Sequence, residues 1–208
     1  MRPFIKLCGL RTPDDVEAAV DAGASAIGLV MTESPRRVSV AQAAHLRSLL
    51  PTGVLAVAVF HDPSRRLVEQ VEQEVAPDLF QAEPDYLQGM PRSRILPVVP
   101  DGPGLLHRVE AALEVSEVGW VLVDSAARGG TGRMVAWEGL GGLPSRSRLV
   151  LAGGLTPQNV AEAVRAVGPG GVDVSSGVEQ APGVKDHQLM KAFVTAARSV
   201  EFQDEVTA

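Results

Sequence analysis

The sequence predicts an α/β fold, a compact (β/α)8 barrel of the TIM type, formed by residues 1–208 as a single domain. Eight short apolar runs recur along the 208 residues, and the intervals between them suit one helix and two short loops. The runs are continuously apolar, which is typical of parallel strands covered on both faces by helices. An open doubly wound sheet is the alternative, but no Gly-x-Gly-x-x-Gly motif follows the first run, so the barrel is favoured.

The eight apolar runs are the predicted strands. Glycine- and serine-rich segments follow the sixth, seventh and eighth of them, where tight turns into helices are expected. The predicted strands cover residues 4–8, 26–31, 54–60, 78–81, 95–99, 120–123, 149–152 and 172–175.

The first helix is predicted from a threonine-proline pair at its start. Thr12 is the expected N-cap, Pro13 the first helical residue, and Gly23 ends the helix. The pair Thr156-Pro157 repeats this pattern in a similar stretch, with Gly168 at the end of that helix. The similarity indicates a repeated βα unit.

The helix after the second strand is predicted from a capping box formed by Ser39 and Gln42, and it runs to about residue 50. The segment 78–104 is rich in proline, and its helix, near residues 85–90, is abbreviated. We therefore expect an irregular or shortened fourth and fifth βα region.

The composition excludes several classes of protein. A net charge of −6 without any block of lysine or arginine argues against a nucleic-acid partner. The longest apolar stretch, 53–60, is less than half of the roughly 20 residues that a membrane helix needs, and the charged N-terminus is not a secretory signal. A single cysteine rules out an internal disulfide framework and suits a reducing compartment, so we expect a cytoplasmic protein. No metal-ligand spacing and no pairing with the cysteine is found among His45, His61, His107 and His187.

The predicted barrel brings polar residues to one opening, because the carboxyl ends of all eight strands face the same mouth. Cys8 ends the first strand, and a thiol there is a candidate for chemistry, although most lone cysteines are buried and inert. The residues expected around this mouth are Cys8, Gln81, Asp124, Gly153, Gly154, Ser175 and Ser176.

Two glycine- and serine-rich segments predict a phosphate site. Gly153-Gly154 follows the seventh strand and Ser175-Ser176-Gly177 follows the eighth, the two places where such barrels commonly hold a phosphate on backbone N–H groups. The alternative is that these glycines only permit tight turns.

Two charged side chains have both a chemical and an ordinary interpretation. Asp124 follows a buried strand, so burial can raise its pKa and let it act as an acid; otherwise it is an N-cap or braces a loop. Arg36, which follows Ser34-Pro35, can clamp a carboxylate with two parallel hydrogen bonds, but most surface arginines meet only solvent.

Seven segments, in order along nearly the whole chain, resemble the phosphoribosylanthranilate isomerase family of tryptophan biosynthesis. The most specific are Lys-Leu-Cys-Gly at the first strand and Val-Asp-Val-Ser-Ser-Gly-Val-Glu at the eighth. The matching segments are residues 6–10, 34–36, 124–125, 129–132, 152–160, 172–179 and 182–186.

The resemblance implies an enzyme that converts N-(5-phosphoribosyl)anthranilate to 1-(2-carboxyphenylamino)-1-deoxyribulose 5-phosphate by an Amadori rearrangement without a cofactor. By resemblance, Asp124 is the general acid and Cys8 the general base, whose pKa Lys6 and helix N-termini would pull toward neutrality. Arg36 corresponds to the clamp for the anthranilate carboxylate. The partner is then a small phosphorylated substrate, and the protein a monomer or homodimer. The other substrate-binding residues implied are Gly130, Gly132, Gly153, Gly154, Asp173, Ser175, Ser176 and Gly177.

The chain departs from the family pattern after the fourth strand. It has Gln81-Ala82-Glu83-Pro84 where the family has Gln-Leu-His-Gly, which replaces an imidazole by a carboxylate. We expect Glu83 to turn outward, because Pro84 restricts it to extended conformations. The alternative function is a diverged, non-catalytic phosphosugar-binding barrel. A related isomerase of histidine biosynthesis fits less well, because it has an aspartate where Cys8 stands.

Overall fold

Eight parallel strands close into a barrel in this computed structural model, which describes residues 3–87, 89–124, 140, 141, 143 and 145–202. The strands follow one another around the barrel in chain order, and β8 pairs with β1 to close it. The predicted fold is therefore confirmed, and each predicted strand end lies within one residue of the observed end. The strands are β1 (Phe4–Cys8), β2 (Ala26–Val30), β3 (Leu55–Val59), β4 (Leu79–Ala82), β5 (Ile95–Pro100), β6 (Val121–Asp124), β7 (Leu149–Leu151) and β8 (Gly171–Val174).

Six α-helices of the described residues pack outside the barrel. The predicted N-cap Thr12 and the predicted capping box of Ser39 with Gln42 are both present, and Thr12 also forms a capping box, with Asp15, that was not predicted. Gly23 ends the first helix in the left-handed conformation with φ 88°. The second helix ends two residues before the predicted residue 50. The helices are α1 (Pro13–Ala22), α2 (Val40–Ser48), α3 (Arg65–Glu74), α4 (Leu105–Val115), α5 (Val160–Val167) and α6 (His187–Arg198).

The repeated threonine-proline pattern does not start a helix the second time. Helix α5 begins at Val160, after a turn in which the Thr156 hydroxyl accepts a hydrogen bond from Gln158 N. The cause is Asn159, whose side-chain oxygen accepts from Thr156 N at 2.7 Å while its amide nitrogen donates to Gly154 O at 3.0 Å. An aspartate, which stands at the matching position in α1, has no such donor. The predicted end at Gly168 is confirmed.

The fourth βα region is shortened, as predicted. The segment after β4 forms only a 3₁₀ turn, Pro84–Leu87, and a second one, Arg92–Arg94, precedes β5. The prediction was wrong for the fifth region, where α4 is a regular helix of 11 residues. Its apolar positions recur every three or four residues and bury one face, which stabilises a normal helix despite the prolines before it.

The barrel interior changes from apolar to polar along the strands. Alternate strand residues point inward, and those near the amino ends form a small apolar core that includes Phe4, Ala26 and Leu122. The intervening residues pack against the helices in a larger core. Toward the carboxyl ends the inward positions become polar, which places the candidate site at that mouth. These inward polar residues are Lys6, Cys8, Gln81, Asp124 and Asp173.

Candidate active site

The thiol of Cys8 lies at the carboxyl end of β1, almost fully buried at 6% exposure. Lys6 lies two residues earlier and points the same way, because side chains alternate along a strand. Its ammonium group is 0% exposed and donates to Asp173 Oδ1 at 2.8 Å, across the β1–β8 pairing that sets Lys6 beside Asp173. The predicted substrate-binding residue Asp173 is thus the buried partner of a lysine beside the thiol.

Gly28 makes room for the thiol. It pairs with Cys8 across β1 and β2, and a methyl group at Gly28 would lie 2.6 Å from Cys8 Sγ and 3.1 Å from Lys6 Cε. Gly28 was not among the residues predicted from the sequence. Its only sequence signal is a glycine inside an apolar strand, which often marks the close approach of another group.

Burial raises the pKa of the Cys8 thiol, and the nearby Lys6 charge and its hydrogen bond oppose this effect without reversing it. Lys6 itself is held charged: burial alone would lower its pKa, but the Asp173 carboxylate outweighs burial and raises it. The rise in the pKa of Cys8 is opposite to the shift toward neutrality that the resemblance implies, because desolvation outweighs one lysine that is already paired.

A cleft joins the predicted acid to the two predicted phosphate loops. Asp124 ends β6 in a half-buried position, and its carbonyl accepts a hydrogen bond from Asp101 N at 2.7 Å. The structure thus brings together most of the site residues that the sequence predicted. The cleft is lined by Asp124, Ala152, Gly153, Gly154, Leu155, Asp173, Val174, Ser175, Ser176 and Gly177.

The glycines of this cleft are required by geometry. Gly153 and Gly154 have φ of 79° and 70°, in the left-handed region that other residues rarely adopt. Gly177 faces the carbonyl of Leu155 so closely that any side chain at Gly177 would collide with that oxygen. The loops after β7 and β8 therefore approach each other closely at Gly177, which leaves their N–H groups within reach of a small anion.

Arg36 is not a solvent-exposed surface arginine. It follows β2, is 8% exposed, and packs its stem against Gly9, where a methyl group would lie 2.7 Å from Arg36 Cδ. Its Nε and Nη2 donate to the two carboxylate oxygens of Glu179 at 2.8 and 2.7 Å. The predicted carboxylate clamp is thus already held by a carboxylate of the chain itself.

Glu179 belongs to a short hairpin that follows β8, formed by β9 (Glu179–Ala181) and β10 (Val184–Lys185). Lys185 Nζ donates to Glu179 Oε1 at 2.7 Å and to Ser175 O at 2.9 Å, and Ser175 Oγ donates to Cys8 O at 3.2 Å. Neither Glu179 nor Lys185 was predicted as a site residue. Their sequence signal is an acid and a lysine at the two ends of a Pro-Gly turn.

The charges of this hairpin titrate unusually. Burial alone would raise the pKa of Glu179, but the hydrogen bonds and charges of Arg36 and Lys185 outweigh burial and lower it. Burial lowers the pKa of Lys185, and Glu179 counteracts this only in part. The carboxylate is therefore firmly ionised, whereas the lysine holds its proton less tightly than usual.

The corner after β4 differs from the hairpin because its polar side chains are not held in buried ion pairs among the described residues. Gln81 is 6% exposed, and its side-chain oxygen has no hydrogen-bond partner among the described residues. Glu83 is half-buried rather than turned fully outward, and its carbonyl accepts from Tyr86 N at 3.1 Å, at the start of the 3₁₀ turn. The Tyr86 phenol bonds to Asp62, which raises the pKa of Tyr86.

Two predicted residues, Gly130 and Gly132, lie outside the described part of the chain. Within the described part, no group of three or more histidine, cysteine, aspartate or glutamate side chains could hold a metal ion. No helix there is long and apolar enough to cross a membrane.

A model of the N-(5'-phosphoribosyl)anthranilate (PRA) isomerase family matches residues 5–196 of the chain. The chain belongs to the PRA isomerase family. The match spans all eight strands, from β1 with Cys8 to β8 with Asp173, as well as the hairpin with Glu179 and Lys185. The resemblance found in the sequence is thereby confirmed.

Individual relatives agree with this assignment. The N-(5'-phosphoribosyl)anthranilate isomerase of Erythrobacter litoralis is 42% identical over 94% of this chain and 99% of its own length. Monomers of the dimeric isomerase from Thermotoga maritima superpose with a TM-score of 0.78 at 30% identity, covering 94% of this chain and 98% of that one. An isomerase solved with reduced 1-(o-carboxyphenylamino)-1-deoxyribulose 5-phosphate gives a TM-score of 0.74 at 33% identity, with the same coverage.

Proposed function

We propose that Cys8 and Asp124 transfer the protons of the PRA isomerase reaction in this chain. The chain is an isomerase that rearranges N-(5-phosphoribosyl)anthranilate to 1-(2-carboxyphenylamino)-1-deoxyribulose 5-phosphate. The observation that carries the residue assignment is the single mouth of the barrel, where the thiol, the carboxyl group and two glycine-rich anion loops meet.

The first step requires an acid. Asp124 gives its proton to the ribose ring oxygen, the bond from C1 to that oxygen breaks, and the nitrogen lone pair forms a C1–N double bond, a protonated Schiff base. Asp124 suits this role by its position, because it lines the cleft beside the two glycine-rich loops that would hold the phosphate of the same sugar.

The second step requires a base. The Cys8 thiolate removes the proton from C2, the C–H electron pair forms a C1–C2 double bond, and the C1–N electron pair returns to nitrogen. The resulting enolamine tautomerises: C1 gains a proton and the C2 hydroxyl loses one, so that substrate and product are isomers. General acid and base groups contribute about 10²- to 10⁴-fold each to such reactions.

The thiolate is generated only with substrate in place. In the unliganded protein burial keeps Cys8 protonated despite Lys6. The protonated Schiff base adds a second positive charge next to the thiol, and two nearby cations favour the thiolate more than one does. The thiol proton passes to water before the thiolate removes the proton from C2, and a proton taken up from water restores the thiol at the end of the cycle.

The substrate has an anion at each end, and the site has a candidate receptor for each. The phosphate is held by the backbone N–H groups of the loops after β7 and β8, at Gly153, Gly154 and residues 175–177. The ring carboxylate is held by Arg36. Glu179 accepts from Nε and Nη2, which leaves Nη1 and the second N–H of Nη2 to donate to the substrate. Asp173 acts through Lys6 rather than as a direct ligand of the substrate.

The proposal also covers the location, the domain organisation and the assembly of the protein. We place the protein in the cytoplasm, because its single thiol suits a reducing compartment. Residues 1–208 form one domain, supported by the closure of β8 onto β1. The assembly is a monomer or homodimer, supported by the relative that is described in both forms.

The test is turnover of phosphoribosylanthranilate, generated in the cuvette and followed by the loss of its fluorescence. We expect turnover by the wild-type protein and almost none by Cys8→Ser, which serves as the matched control for trace contaminants. A folded wild-type protein that binds the product analogue without turnover would instead be the phosphosugar-binding barrel.

A further inference from the structure

One carboxylate connects the two cations nearest the mouth. Glu179 Oε1 accepts from Arg36 Nε at 2.8 Å and from Lys185 Nζ at 2.7 Å, while Oε2 accepts from Arg36 Nη2 at 2.7 Å. The three side chains are buried, at 10%, 4% and 0% exposure for Arg36, Glu179 and Lys185. Nothing in the proposed reaction assigns a role to Glu179 or Lys185.

We infer that Glu179 is a positioning residue that orients Arg36 toward the ring carboxylate of the substrate. This inference rests on the proposed function. A guanidinium group is planar and can present two parallel N–H bonds along either a side edge or its end-on edge. Glu179 occupies the side edge formed by Nε and Nη2. The end-on edge, formed by Nη1 and Nη2, is thereby held in one fixed direction.

The hairpin fixes Glu179 to the surrounding loops. Gly183, at its turn, has φ 79° and approaches Pro35 O so closely that a side chain there would collide with the loop that carries Arg36. The carbonyl of Gly183 also accepts a hydrogen bond from Arg11 Nη1 at 3.3 Å, in the loop after β1. Lys185 adds a bond to Ser175 O, in the phosphate loop. The hairpin therefore holds the carboxylate clamp at a fixed distance from the phosphate loop.

Charge alone does not account for this arrangement. Arg36, Glu179 and Lys185 together carry a net charge of one positive unit when all three are ionised. If Glu179 becomes neutral, the buried Lys185 loses the group that helps it to hold a proton, and its pKa falls further. Loss of the negative charge beside Arg36 would by itself favour a bound carboxylate, so weaker binding of a carboxylate ligand reports the lost orientation of Arg36.

The experiment compares two ligands that differ only in the ring carboxylate. The first is reduced 1-(o-carboxyphenylamino)-1-deoxyribulose 5-phosphate, and the second is the same compound without the carboxylate. Their dissociation constants are measured by calorimetry for the wild type and Glu179→Gln. We expect Glu179→Gln to weaken binding of the first ligand by about tenfold, the effect of losing one oriented charged pair, and of the second by less than about twofold.

Two further variants keep the test decisive. Glu69→Gln breaks an exposed ion pair with Arg65 on α3 and is the matched control, expected to leave both constants unchanged. Glu179→Asp keeps the charge but shortens the side chain by one methylene. It should lose part of the discrimination between the ligands, and it replaces Glu179→Gln if that variant does not fold.

The inference is overturned if Glu179→Gln leaves the ratio of the two dissociation constants unchanged. If both ligands then bind more weakly, the role of Glu179 is purely structural. The inference is also overturned if the carboxylate ligand binds more tightly, because Glu179 would then compete with substrate for Arg36. The proposed function is tested separately by wild-type turnover. Turnover with unchanged discrimination in Glu179→Gln rejects the role of Glu179 alone, whereas absent turnover rejects the catalytic assignment and the inference with it.

Discussion

The mouth of the barrel has two regions that handle charge differently. Along the arc of β8, β1 and β2, each buried charge has an opposite partner at hydrogen-bond distance: Lys6 with Asp173, and Glu179 with both Arg36 and Lys185. At the corner after β4, the buried amide oxygen of Gln81 has no partner among the described residues, and the half-buried Glu83 begins a single 3₁₀ turn.

The buried ion pairs constrain the residues of the arc more strongly than the residues of the corner are constrained. Removing one partner of a buried ion pair costs about 3–5 kcal/mol, because it leaves an uncompensated buried charge. The arc therefore tolerates few substitutions, whether they affect catalysis or folding. The corner holds no buried ion pair among its described residues, so a substitution there leaves no buried charge uncompensated.

The largest effect is expected at the two proposed proton-transfer groups. Cys8→Ser in the arc and Asp124→Asn on the opposite side of the cleft each remove one proton transfer while leaving the phosphate loops intact. We expect each to lower kcat by at least roughly a hundredfold. Affinity for the reduced product analogue, measured by calorimetry, should change little. A Cys8→Ser variant with nearly normal kcat would remove the thiol from the mechanism.

A smaller effect, on binding, is expected for Arg36→Met. The ring carboxylate is remote from the reacting carbons, so its contact with Arg36 is made equally in the ground state and the transition state. Steady-state kinetics should show KM raised by about tenfold or more with kcat largely kept. An unchanged KM would mean that Arg36 serves only the ion pair with Glu179.

Gly177→Ala is expected to weaken inorganic phosphate binding by about fivefold, because the methyl group forces the loops after β7 and β8 apart at Leu155 O. It should also destabilise the fold by about 1–3 kcal/mol, as overpacking does. Gly53→Ala is the control. It strains a residue with φ 92° and nothing within 4 Å, at the opposite end of the barrel, so it should lower Tm without changing phosphate affinity. Equal phosphate affinity in both variants would leave Gly177 only a structural role.

The smallest effect is expected at the corner. Glu83→Gln should change kcat/KM by less than about threefold, below the roughly 1 kcal/mol that marks a direct contact with substrate. The backbone carbonyl of Glu83 accepts the first hydrogen bond of a local turn, and its carboxyl group makes no ion pair within the described residues. A gain of tenfold or more would show that Glu83 faces the substrate and that the isomerase is partly impaired by it.

Much of this structure was predictable because barrel strands carry strong local signals. Apolar runs located all eight strands, and the N-cap Thr12 and the capping box at Ser39 were recognised from single pairs of residues. The threonine-proline pair did not start a helix at Thr156. Three residues later the chain has Asn159, whose amide also donates to Gly154 O, where α1 has an aspartate. A local sequence pattern does not show which hydrogen bonds a side chain makes with a neighbouring loop.

The site was predicted less completely for a related reason. Cys8, Asp124 and the glycine loops are at strand ends, so topology alone brings them together. Gly28, Glu179 and Lys185 matter through contacts with residues that are far away in sequence, such as Glu179 with Arg36. The direction of the Cys8 pKa shift was also missed, because it depends on the balance between burial and one paired lysine.

The central claim is that burial and matched charge hold Cys8 as a neutral thiol until substrate arrives. Because the chain has a single cysteine, the thiolate absorbance near 240 nm, measured as wild type minus Cys8→Ser, reports this group alone. Since the pKa of Cys8 is raised, the thiolate fraction should increase about tenfold per pH unit through neutral pH, with a midpoint above the ordinary thiol value of about 8.5. A thiolate signal already fully developed at pH 7 would contradict the account.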